Sequence, residues 1–149
     1  MLFRSMNELL LMCTIAGRRA AIPAVEVQSV IEVENITPIP GTPDFILGLT
    51  ALRSQALTVI DCSLAIGLDQ ACSSKDQRAA VVDIDGHLYA LLVDEAHDVG
   101  EAKSEPVAVP GGFGEGWQRA ARGMVETDGG PTLLVDIEHL VSGPLRQAA

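Results

Sequence analysis

Residues 41–67 read GTPDFILGLTALRSQALTVIDCSLAIG, and this stretch decides the fold. Thr42-Pro43-Asp44-Phe45-Ile46 carries the signals of a short helical turn, with Thr42 as cap, Pro43 at a first helical position and Gly48 as its end. Two apolar runs follow, Leu49 to Leu52 and Ala56 to Ile60, separated by Arg53-Ser54-Gln55. They predict a β-hairpin. With Ser54-Gln55 as the two-residue loop, Leu52 faces Leu57 and Arg53 lies beside Ala56, a permanent charge at a rigid tip. Asp61 then caps a helix over 62–66, closed by Gly67.

The rest of the chain repeats these devices. Leu9 to Ile15 and Arg19 to Ile22 predict strands about Gly17-Arg18, and Pro23 opens a helical turn near 24–28. Ser29 to Glu34 extends again, and Thr37 to Gly41 is a stiff proline connector. Leu68 to Lys75 is a polar link. The strongest turn signal is Asp85-Gly86, which pairs Ile84 with His87, Val82 with Tyr89 and Val81 with Ala90. Both faces of that hairpin are apolar, as in a strand pair packed on two sides. Glu95 to Lys103 predicts a further strand. Ser104 to Gln118, rich in glycine and ending at Trp117, is a long loop that is either mobile or functional; Trp117 reads first as a plug over one barrel end. A last hairpin surrounds Asp128-Gly129-Gly130, and Asp136 caps a helix near 137–141, ended by Gly143-Pro144. The total is at least eight strands with only short helices.

There is an internal echo. Leu57-Thr58-Val59-Ile60-Asp61 matches Thr132-Leu133-Leu134-Val135-Asp136 at an offset of 75, and the hairpin about Gly17 matches that about Gly86 at 69. Two related β units are implied, the first about 8–67 and the second about 77–143.

Composition narrows the function. Of 149 residues, 48% are hydrophobic but only 3% aromatic, so the core is aliphatic. A net charge of −10, with Lys75 and Lys103 the only lysines, argues against nucleic acid or anionic lipid as the main partner. Cys13, Cys62 and Cys72 lack C-x-x-C spacing. Cys13 and Cys62 sit in apolar runs and read as buried thiols, whereas Cys72, in the polar link, is expected to react fastest. Leu9 to Ala16 is too short for a secretion signal and is flanked by Glu8, and no run reaches membrane-spanning length. A reducing, cytoplasmic setting follows.

Tempting chemistry falls away on inspection. Asp94-Glu95-Ala96-His97 spells a helicase word without the phosphate-cradling loop that such enzymes need. Asp83 and His87 point to opposite hairpin faces, and Asp85 belongs to the turn, so no metal site is expected there. No serine sits on a nucleophile elbow. Asp61 and Asp136 read as helix caps. No cofactor and no catalytic residue is assigned.

The words TPDFILGLTALRSQALTVIDC stand in register, without gaps, against the pattern TPxFIxGxxNLRGxxxPVIDL. The chain thereby resembles the CheW-like domain family of chemotaxis coupling proteins, from Ile22-Pro23 down to Val141. Ala51, Ser54 and Ser63 depart from the pattern. Ser54 matters physically, because a glycine normally serves a φ > 0 position there. The resemblance implies one mainly β domain over residues 1–149: two small five-stranded SH3-like β-barrels sharing an aliphatic core, with short helices and with strand exchange between the barrels allowed. It also implies a non-enzymatic adaptor, recruited to receptor arrays at the inner membrane, whose partners are the cytoplasmic tips of methyl-accepting chemoreceptors and the regulatory domain of a histidine kinase. By motif position the receptor-facing groove falls on Val27, Ser29, Gly48 and Arg53. Ser29 replaces a frequent glutamate, Gly48 is more a backbone requirement than a contact, and Arg53 could instead pair with Glu32 or Glu34. The alternative from another class is a small-ligand-binding or regulatory β-barrel outside chemotaxis.

Overall fold

The structure, a computed structural model, describes residues 8–72 and 77–143. Lys75 and Pro144 lie outside them. The described chain is mainly β: ten strands in two five-stranded sheets, with three short helices. The strands are β1 (Leu9–Ile15), β2 (Arg18–Pro23), β3 (Val27–Glu32), β4 (Ile46–Leu52), β5 (Gln55–Asp61), β6 (Arg78–Ile84), β7 (His87–Leu92), β8 (Glu95–Glu101), β9 (Ala121–Thr127) and β10 (Gly130–Val135). The helices are α1 (Cys62–Ile66), α2 (Glu115–Ala120) and α3 (Ile137–Ser142).

One sheet runs β8-β1-β2-β10-β9 and the other β3-β6-β7-β5-β4. The echo in the sequence maps one order onto the other, strand for strand. In each sheet a parallel pair, β2 with β10 or β7 with β5, joins antiparallel strands. Each sheet draws strands from both sequence repeats. β3 pairs with β6 and β8 pairs with β1, so each repeat completes its partner.

Each sheet also closes on itself. The chain leaving β3 bonds β4 through Thr37 and Leu49, at 2.8 and 2.9 Å. The chain leaving β8 bonds β9 through Val107 and Met124, at 2.9 and 2.8 Å. These approaches need glycine. A Cβ on Gly48 would lie 2.2 Å from the Thr37 carbonyl oxygen, and one on Gly123 would lie 2.6 Å from that of Val107. Both glycines follow β-bulges, where Leu47 and Arg122 are the extra residues. Gly48 therefore does not end a helical turn, as its sequence context predicts; it sits inside β4.

Alternate side chains serve different cores. Leu57, Val59, Ala79, Val81, Ala90 and Leu92 fill one barrel, and Leu10, Ala21, Val125 and Leu134 fill the other. Their neighbours, including Cys13, Ala20, Ile22, Ile60, Ala80, Val82, Leu91 and Leu133, face a larger core shared by the two sheets. Burial of both faces explains why the strands read as continuous apolar runs.

The helices seal one side of the shared core. Asp61 and Asp136 cap α1 and α3, accepting bonds from the Leu64 and His139 amides, as predicted. Trp117 of α2 is buried in that core. Gly116 lets α2 press onto α1, because a Cβ there would meet the Ile66 carbonyl oxygen at 2.3 Å. The Arg119 guanidinium donates to the Ala65 oxygen of α1 at 2.6 Å and to the His139 oxygen of α3 at 2.7 Å. Partial burial lowers its pKa from the ordinary arginine value.

Four local expectations are corrected. The segment 43–47 is a turn leading into β4, with the Ile46 amide on the Pro43 oxygen and the Phe45 oxygen accepting from Asp61. Thr42 donates its hydroxyl to Ile39 instead of capping. The β4–β5 loop is Arg53-Ser54, so Leu52 pairs with Gln55 and Ala51 with Ala56, one residue earlier than predicted. The long loop before Trp117 contains a 3₁₀ turn at Gly111–Phe113 and leads into α2. The Asp85-Gly86 hairpin keeps its predicted register.

Closure through glycine yields a test. Gly48→Ala is expected to lower unfolding free energy by roughly 2–4 kcal/mol, since both a positive φ and a backbone clash oppose it. Gly86→Ala, with nothing near its missing Cβ, is expected to cost only about 1 kcal/mol. Urea midpoints measure both, and equal losses would refute the closure argument.

Candidate partner-binding surfaces

The edge strands leave part of the shared core uncovered. Val27 pairs with Val82 and Val30 with Ala80, so both face that core from β3. On β8, Val99 pairs with Leu11 and faces the same core; Leu9 lies on Leu11's face of β1. Yet Val99 is 56% exposed, Leu9 50% and Val30 38%, while Val27 is half-buried. Val25, on the 3₁₀ turn (Ala24–Glu26) between β2 and β3, is 88% exposed. β8 also touches β6, the neighbour of β3. The result is an apolar rim between the two barrels.

Val27 thus stands on this rim, and Ser29 is exposed one residue past the bulged Gln28. Ser29, Val81, Ala90, Val59 and Gly48 form one row across the sheet, and its two end strands, β3 with Ser29 and β4 with Gly48, are the ones the Thr37–Leu49 bonds close together. Gly48 is buried beneath Thr37 and Pro38 and acts through the backbone. Arg53 is exposed at the hairpin tip, with φ of 53° there and 72° at Ser54. Among the described residues it forms no ion pair with Glu32 or Glu34. Beside it an open groove of about 620 Å³ runs between Ile31–Thr37 and the Leu49–Ala56 side of β4 and β5. Leu9, Val25, Val30 and Val99 are binding candidates that motif reading missed. Their sequence signal, a strand-like alternation, does not distinguish an exposed sheet edge from a buried centre.

Charged groups flank the rim. A cleft of about 560 Å³ beside Val25 is lined by Glu26, Asp83, Asp85, Asp136 and Glu138, with Arg122. Arg122 reaches Glu26 at 3.4 Å. Asp83 accepts from the Gly86 amide, and Asp136 from His139, so these two carboxylates shape local backbone. His97 contacts Thr14 at 3.1 Å and Glu95 at 3.5 Å. Among the described residues no three potential ligands converge on a metal site.

The cysteines are internal. Cys13 and Cys62 are fully buried, and all three thiols are free. Burial, with a smaller push from Asp94, raises the Cys13 thiol to about 12, and burial raises Cys62 well above the usual value. Cys72 is the least buried of the three, half-buried where the others are fully enclosed. It packs against the shared core, its amide bonds the Asp61 carboxylate at 3.1 and 3.2 Å, and its thiol donates to the Leu92 oxygen at 3.3 Å. Burial and the Asp61 charge raise its pKa.

The CheW-like domain model matches residues 9–144. The chain belongs to the CheW-like domain family. It is 25% identical over 129 residues to the chemotaxis protein CheW of Rhizobium meliloti, covering 84% of this chain and 83% of that one. A probable chemotaxis protein CheW of Rhizobium etli is 27% identical over the same span, with the same coverage. The crystal structure of the scaffolding protein TtCheW from Thermoanaerobacter tengcongensis superposes with a TM-score of 0.78 at 27% identity, covering 91% of this CheW-like chain and 92% of the other. No helix among the described residues is long and apolar enough to cross a membrane.

Two measurements test this geometry. Cys72 is expected to react with a disulfide reagent at pH 7 roughly a hundredfold more slowly than in denaturant, because little thiolate is present. The raised thiol pKa values give stability that is complete below the free-thiol value of 9.0 and falls as pH climbs toward about 12. Fast labelling of the folded protein would contradict the burial. Ser54→Gly is expected to stabilise the strained turn by about 0.5–1 kcal/mol; a loss of stability would show that Ser54 makes a contact worth more than its strain.

Proposed function

We propose that this CheW-like domain is a non-enzymatic adaptor in chemotaxis signalling, coupling chemoreceptor tips to the regulatory domain of a histidine kinase. Family membership supports the setting. The observation that carries the docking mode is the apolar rim of the shared core, bounded by β3 and β8. Apolar side chains held at fixed positions by two closed barrels suit an apolar stripe on a helical partner, with charges at the margin supplying orientation. Val27 and Ser29 form part of this surface. Gly48 shapes the barrel behind it, and Arg53 offers a second, charged contact at a rigid tip. Such an adaptor works beneath the inner membrane, in the cytoplasm, at receptor arrays.

Calorimetry with a receptor-tip fragment tests the reading. Val99→Glu and Val30→Glu are expected to weaken binding by roughly 1–3 kcal/mol each while changing stability far less, because the replaced side chains are already partly solvated. Arg53→Ala is expected to keep stability within about 0.5 kcal/mol and to lose comparable binding energy. Arg53→Lys recovers little if the contact is a planar fork. Normal binding by all of these variants would remove the receptor from this surface.

A further inference from the structure

Besides the shared core and the exchanged strands, the short helices also bridge the two barrels. α1 follows β5 of one sheet, whereas α2 leads into β9 and α3 follows β10 of the other. Arg119 bonds both sides at once, through the Ala65 oxygen at 2.6 Å and the His139 oxygen at 2.7 Å. These carbonyls lie in very short helices, where few other donors are available. One residue turn earlier, Gly116 removes the side chain that would hold α2 away from the Ile66 carbonyl. Trp117 between them is buried in the shared core. A charged fork with two short bonds is directional, while aliphatic packing is not.

We propose that Arg119 is a positioning residue: its two-carbonyl clamp, seated by Gly116, sets the angle between the barrels and so the shape of the apolar rim between β3 and β8. The effect on binding rests on the adaptor reading above; the effect on barrel orientation does not.

The test uses the full chain and three variants: Arg119→Met, Arg119→Lys and Gly116→Ala. Amide residual dipolar couplings are collected for both sheets. In the unsubstituted protein the two sheets are expected to fit one alignment tensor. In Arg119→Met each sheet is expected to keep its internal fit while the two tensors separate. Gly116→Ala, which changes no charge, is expected to do the same by wedging α2 from α1, and Arg119→Lys, which keeps the charge but not the fork, to restore little of the common tensor. Where Arg119→Met does not fold, Gly116→Ala and Arg119→Lys still decide. A single shared tensor in all folded variants overturns the proposal.

Binding of a chemoreceptor-tip fragment is measured on the same samples. A roughly tenfold loss in the variants whose tensors separate is expected. Separated tensors with unchanged affinity overturn the link from angle to rim. No binding by the unsubstituted protein overturns the adaptor reading, and the tensor result then judges the orientation claim alone.

Discussion

Every central strand must satisfy two cores. In β6, Ala79 and Val81 fill a barrel while Ala80 and Val82 face the shared core. This requirement explains the composition: small and branched aliphatic side chains fit between layers on both sides. The largest ring, Trp117, arrives on a helix at the side of the shared core. On the edge strands β3 and β8 one side of the shared core runs out of cover.

The same requirement decided what the sequence could reveal. Asp85-Gly86 gave an exact register, since a turn with φ of 54° and 86° asks for those residue types. Arg53-Ser54 adopts a similar left-handed pair without glycine, so its loop was placed one residue late. Thr42-Pro43-Asp44 looked helical because cap and proline signals are local. The long-range bond from Asp61 to the Phe45 oxygen overrides them. Conversely, α2 was hidden by Gly114 and Gly116, which lower helix propensity; its existence depends on packing against Ile66. The rim needed the sheet order, because Leu9, Val30 and Val99 follow the same alternation as buried neighbours. Residues matched by motif were legible as positions, whereas the closure that brings the edge after β3 onto β4 through Thr37 and Leu49 was not.

The two barrels are near copies in path and different in chemistry. Bulges recur at Gln28 and near His97, and again at Leu47 and Arg122. The first two lie on edge strands, where an irregular ladder discourages pairing with a foreign strand. The apolar rim can thus stay open to a partner without inviting edge-to-edge aggregation. A net charge of −10 adds repulsion between copies.

Divergence is greatest where the copies meet solvent. The hairpin tip of one barrel carries Arg53-Ser54, and the equivalent tip of the other carries Asp128-Gly129, with Lys103 at 3.3 Å from Asp128. A turn at Phe45 in one repeat corresponds to helix α2 in the other. Equivalent barrels with unlike ends thus present two chemically distinct faces. Strand exchange ties the two faces together, since neither sheet can be completed by its own repeat.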